Sequence, residues 1–129
     1  MPLQIQAGDF ARPGVSVLEV SGELDYDTEQ ILADAARQTL DAGCRRLVLD
    51  CAAVTFCDSR GLNQLLFLRQ DAQRRGVDLV LAAISTPVRH VLELTDALRI
   101  FTLADTVEEA VRWPGEADAD TPGRGIRAV

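Results

Sequence analysis

Leu3, Ile5 and Ala7 alternate with Gln4, Gln6 and Gly8, the period-two pattern of a half-buried strand. Arg12-Pro13-Gly14 marks a turn. Val15, Val17 and Leu18 to Val20 then give a second strand ended by Ser21-Gly22, and the short connection predicts a hairpin. From Asp27 the period lengthens. Ile31, Leu32, Ala35, Ala36, Thr39 and Leu40 share one helical face, with Asp27 as the expected cap, Gln30 as its reciprocal partner and Ala42-Gly43 as the stop. Leu47-Val48-Leu49 reads as a short buried strand. A second helix is expected from Asp58 to about Arg75, carrying Leu62, Leu65, Leu66 and Arg69 at helical spacing and halted by Gly76. Val77 to Ile84 is another nearly continuous apolar run. Ser85-Thr86-Pro87, a hydroxyl cap with proline in the first turn, opens a third helix with Val88, Val91, Leu92 and Leu94 on its apolar face. Ile100-Phe101 with Leu103 predicts a last strand. Asp105-Thr106 ahead of Glu108-Glu109 predicts a last helix to about Arg112.

The order is β-β-α-β-α-β-α-β-α. Strands alternating with helices imply right-handed crossovers and mostly parallel pairing. The expected fold is therefore a single α/β domain with a mixed, mostly parallel central sheet, about four helices and an N-terminal β-hairpin. After Trp113-Pro114 the apolar pattern fades, so residues 1–113 are expected to form the domain and 114–129 a disordered tail.

Charge and composition narrow the chemistry. The chain has 129 residues and a net charge of −7, which argues against non-specific binding to nucleic acid or anionic lipid. All 13 basic residues are arginine, so Schiff-base chemistry and a phosphate-loop lysine are excluded. No apolar run approaches the ~20 residues of a membrane helix. Met1-Pro2-Leu3-Gln4 lacks the features of a secretory signal. Cys44, Cys51 and Cys57 contain no C-x-x-C spacing and fit reduced thiols, so a cytoplasmic location is expected. His90 is the single histidine, and with three dispersed cysteines it makes no metal-ligand cluster. A cysteine hydrolase built on Cys57 beside Asp58 would need a base that the spacing does not supply. No cofactor is expected.

One segment stands apart: Val54-Thr55-Phe56-Cys57-Asp58-Ser59-Arg60-Gly61-Leu62-Asn63, joining a strand end to a helix start. Asp58 is a good N-cap. Ser59 then falls in the first helical turn, where unpaired amides and the positive end of the helix dipole favour an anion by ~0.3–1 kcal/mol. A phosphate on Ser59 is expected where such ions bind. Arg60 is placed to pair with that phosphate or with Asp58. Gly61 is expected to let another protein's backbone come close. On spacing alone, Asp58-Ser59 is more often a plain helix cap. Val20-Ser21-Gly22-Glu23-Leu24-Asp25-Tyr26-Asp27 also bridges a strand and a helix, and such loops gather on one sheet edge. Asp25 is expected near Asp58 and Ser59, with Asp27 serving as the cap.

These residues, with Arg46-Leu47-Val48-Leu49-Asp50 and Leu81-Ala82-Ala83-Ile84-Ser85-Thr86-Pro87-Val88 in support, resemble the STAS-domain anti-sigma factor antagonists over about Leu3 to Arg112. The resemblance implies a regulator without a catalytic centre. In its unphosphorylated form it binds an anti-sigma factor that is also a serine kinase using ATP and Mg²⁺, and so frees a sigma factor. Phosphorylation of the serine matching Ser59 switches it off, and a PP2C-type phosphatase reverses the step. Asp25 matches the loop aspartate of the family and Asp58 the acid before the serine; Arg60, Gly61 and Asn63 complete the implied partner surface. Many members carry serine or threonine in place of Arg60 and glycine in place of Asn63. The other reading is a STAS scaffold or nucleotide-sensing module that is never phosphorylated. Its transporter version is disfavoured by the absence of membrane-length apolar runs.

Overall fold

The structure, a computed structural model, describes residues 3–8, 12–113 and 126–127. The strands are β1 (Gln4–Ala7), β2 (Val15–Leu24), β3 (Arg46–Cys57), β4 (Asp78–Ala82), β5 (Thr102–Ala104) and β6 (Ile126–Arg127). The helices are α1 (Glu29–Asp41), α2 (Ser59–Arg74), α3 (Thr86–Leu94) and α4 (Val107–Arg112), with a 3-10 turn over Tyr26–Thr28. They build one mixed sheet in the order β1-β2-β3-β4-β5-β6. β1 runs antiparallel to β2, β2 to β5 are parallel, and β6 returns antiparallel to β5. The expected mixed α/β architecture with an N-terminal hairpin is the one observed.

A sequential parallel order with right-handed crossovers stacks successive helices on one face. Leu32, Ala36 and Leu40 of α1, Leu62, Leu65 and Leu68 of α2, and Val88 and Leu92 of α3 pack there on Leu18, Val20, Leu24, Leu47, Leu49 and Leu81. Fully burying each of these leucine and valine side chains stabilises by ~1.5–3 kcal/mol. Alternate positions of the same strands, Val15, Val17, Val48 and Val80, turn to the other face, where Ala110 and Val111 of α4 cover them. α4 is pinned by Arg46, only 1% exposed. Its Nη1 donates to the carbonyls of Ala110 at 3.1 Å and Val111 at 3.3 Å, in the last turn of α4. Asp78 lies 3.8 Å from its other terminal nitrogen, and its guanidinium sits 5.4 Å from the Trp113 ring centroid. A cation satisfying the terminal carbonyls of a helix complements the dipole there.

Several elements depart from the patterns. β3 is far longer than Leu47–Leu49, because its second half alternates buried Val54 with exposed Ala53 and Thr55 and breaks the apolar run. β2 continues through Ser21-Gly22 to Leu24 for the same reason, paired with β3 to its end. β4 stops at Ala82, since Ala83 takes a φ of 53°. Ile100 lies in a turn before β5, and Leu94, at the end of α3, points into solvent instead of joining the core. Ser85 holds the N-cap position of α3 without a side-chain cap bond. The expected tail lies outside the described residues except at Ile126 and Arg127. These pair with the β5 edge, whose free backbone groups accept a further strand.

Candidate functional site

Sheet register builds the site. Leu24 is paired with Cys57 at the carboxyl ends of β2 and β3. The next residue on each strand is an aspartate, so Asp25 and Asp58 leave adjacent strands side by side, as expected. The two loops are then tied together. The Asp58 amide donates to the Leu24 carbonyl at 3.4 Å, and Gln64 Nε2 of α2 donates to the Asp25 carbonyl at 2.8 Å.

Asp58 caps α2: its Oδ1 accepts from the amides of Arg60 at 3.0 Å and Gly61 at 3.1 Å. Ser59 follows as the first residue of α2 and is exposed. The expectation that these amides await a phosphate needs correction, because two of them are already taken by Asp58. Asp58→Ala should lower stability by about 1 kcal/mol, read as a lower urea midpoint, with Asp58→Asn close to the parent.

Asp25, and not Asp27, is the cap of the second loop. Its Oδ1 accepts from the amides of Asp27 at 3.0 Å and Thr28 at 3.2 Å, while the Asp25 amide donates to Thr28 Oγ1 at 3.0 Å. This closes a reciprocal box around the 3-10 turn. That turn puts α1 one step later than the pattern suggests, and Gln30 instead donates to Asp34 Oδ1 at 2.7 Å.

Gly61 makes its close approach within the chain. It is buried, and the backbone that comes close to it is the chain's own. A Cβ there would stand 2.5 Å from the Leu24 carbonyl oxygen, 2.8 Å from Cys57 Sγ and 2.9 Å from Leu24 Cβ. Arg60 pairs with a ring that the sequence did not single out: its guanidinium carbon lies 4.9 Å from the centroid of Tyr26, itself 64% exposed. Such an exposed stack stabilises by ~0.5–1 kcal/mol. Asn63 is exposed one helical turn beyond Ser59, and Phe67, 66% exposed, lies one turn further on the same stripe of α2. The local pattern singles out neither ring, because exposure is fixed by tertiary packing and not by neighbours in sequence.

Cys57, between the two loops, is no ready nucleophile. Burial, followed by the charge of Asp58, pushes its thiol up to about 12. Burial first, with smaller contributions from Asp50 and Cys57, does the same to Cys51. A nucleophilic cysteine needs its thiolate. At pH 8 Cys57 should therefore be alkylated by iodoacetamide at least about tenfold more slowly in the folded chain than in urea, as followed by mass spectrometry. His90 is exposed on α3. No group of three or more histidine, cysteine or acidic side chains fit to hold a metal occurs among the described residues. No helix among them is long and apolar enough to cross a membrane.

Residues 11–110 match the STAS domain family. BtrV of Bordetella bronchiseptica is 34% identical over 84 residues, which are 65% of this chain and 72% of BtrV. The anti-sigma F factor antagonist of Paenibacillus polymyxa is 26% identical over 103 residues, 76% of this chain and 85% of that protein. The crystal structure of an anti-sigma factor antagonist from Mycobacterium paratuberculosis superposes with a TM-score of 0.70. Its sequence is 29% identical, and the match covers 84% of this chain and 91% of that one.

Proposed function

Because the chain belongs to the STAS domain family, we propose that it is an anti-sigma factor antagonist whose partner binding is switched by phosphorylation of Ser59. The observation that carries this reading is the placement of an exposed serine at the first position of α2, beside two aspartates held by adjacent strands. The similarity to proteins named anti-sigma factor antagonists supports it. The unphosphorylated chain binds an anti-sigma factor through the Asp25 loop and the stripe Ser59, Asn63 and Phe67, and the sigma factor is released. Asp58 and Gly61 serve this surface from beneath, by capping and by close packing. The chain itself contributes no catalytic step and works in the cytoplasm.

The partner acts as the kinase with ATP and Mg²⁺. Ser59 Oγ bonds to the γ-phosphorus as that phosphorus parts from its bridging oxygen; ADP leaves, and the hydroxyl proton passes to a base of the kinase. The product carries a charge of about −1.5 to −2. Placed beside Asp58 and Asp25, this charge repels a partner surface shaped for a neutral hydroxyl. A PP2C-type phosphatase restores the hydroxyl.

The test is phosphorylation of the purified chain by its anti-sigma kinase with ATP and Mg²⁺, mapped by mass spectrometry. Modification at Ser59, lost in Ser59→Ala, is expected; undiminished labelling of that variant refutes the reading. Phe67→Ala should weaken the unphosphorylated complex about tenfold without moving the melting temperature, since an aromatic that the fold leaves exposed loses packing only in the complex. Calorimetry on the purified pair reads this.

A further inference from the structure

Arg60 stands directly after the acceptor serine, and its guanidinium is held on the ring of Tyr26 in the unmodified chain. Three features of the site decide where that guanidinium goes once Ser59 carries a phosphate. The first is competition for donors. The Asp58 carboxylate already takes the amides of Arg60 and Gly61, so a phosphate at the first position of α2 finds those helix-terminal donors occupied. The second is reach. Neighbouring Cα atoms lie about 3.8 Å apart, and an arginine side chain is long enough to turn back onto a group carried by the preceding residue. The third is strength. A guanidinium on an exposed ring makes one of its weaker contacts, whereas its planar fork matches phosphate oxygens with charge-assisted hydrogen bonds.

We propose that Arg60 is a two-position latch, stacked on Tyr26 while Ser59 is free and drawn onto the phosphate when Ser59 is modified. The inference rests on Ser59 being the modified residue. It adds a second consequence of phosphorylation besides charge repulsion. Tyr26 begins the 3-10 turn that Asp25 caps, so loss of the stack unpins the aromatic side chain of that loop. The partner surface then loses an ordered Tyr26–Arg60 pair at the same moment that it gains a dianion.

Tyr26 is the only tyrosine in the chain, so its ring signals are unambiguous in an NMR spectrum. The experiment uses the full chain with phosphoserine installed at position 59 during translation, beside the unmodified chain and Arg60→Ala forms of both. No kinase is required, so a failure of the latch is separate from a failure of Ser59 to be phosphorylated by a partner. Four results are expected together. Arg60→Ala shifts the Tyr26 ring signals of the unmodified chain. Phosphoserine shifts them in the same direction. Phosphoserine adds no further shift in the Arg60→Ala background. The phosphorus titration gives a lower second pKa when Arg60 is present than in the Arg60→Ala form. Ring signals that stay in place on phosphorylation, or phosphate titrations that coincide with and without Arg60, overturn the proposal. So does an unmodified chain whose Tyr26 signals ignore Arg60→Ala.

Discussion

Phosphorylated at Ser59, the chain should bind its anti-sigma partner two to three decades more weakly than the unmodified form, a loss of about 3–4 kcal/mol. The loss is electrostatic. Ser59 is exposed at the start of α2, and the nearest capping amides are committed to Asp58. Arg60 offsets at most one of the new charges, so a net negative phosphate remains and must be desolvated when a protein docks over it. Ser59→Asp introduces a single charge and should cost at least about tenfold, while Ser59→Ala, which removes only a hydroxyl, should bind within about threefold of the parent. Titration calorimetry of the four forms against one partner checks the ordering. Equal affinity of the Asp and Ala variants would remove charge from the mechanism.

Gly61→Val should be the most damaging substitution in the motif for the fold, because Gly61 is buried. The added Cβ meets the Leu24 carbonyl oxygen at 2.5 Å and Leu24 Cβ at 2.9 Å. Neither atom can swing aside as a side-chain tip would, because Leu24 is paired to Cys57 in the sheet and is fully buried. Relief requires α2 to lift from the β2–β3 edge, which strains the Asp58–Leu24 and Gln64–Asp25 bonds that join the two loops. Overpacking of this kind costs about 3 kcal/mol. At this chain length that lowers the melting temperature on the order of 10 °C. Gly61→Ala should fall in the same direction by less. A variant that melts with the parent would show that α2 does not seat as closely as the contacts require.

Glycine in this motif is therefore legible as a residue type but not by role. Its position in a helix start suggests a surface open to a visitor, whereas the close neighbour is Leu24, 37 positions earlier in the chain. The same holds for Asp25. Local spacing makes Asp27 an equally good cap, and the choice falls to Asp25 because β2 runs four residues beyond Val20 to Leu24. Pairing with β3 decides that length. Arg60 shows the limit most clearly. The sequence offers its side chain Asp58 or a phosphate on Ser59, and in the folded chain its guanidinium lies on the ring of Tyr26.

Periodicity and turn residues alone determined the order of strands and helices from β1 to α4, the mixed sheet and the placing of Asp58-Ser59 at a helix start, because each depends on side chains a few residues apart, while β6 escaped the pattern. Tertiary structure alone decided which loops meet, which aspartate caps which turn, and which aromatic rings stay in solvent. Those outcomes depend on the register of β2 against β3 and the seating of α2 on their joint edge, and both are settled by packing between residues that are distant in the chain.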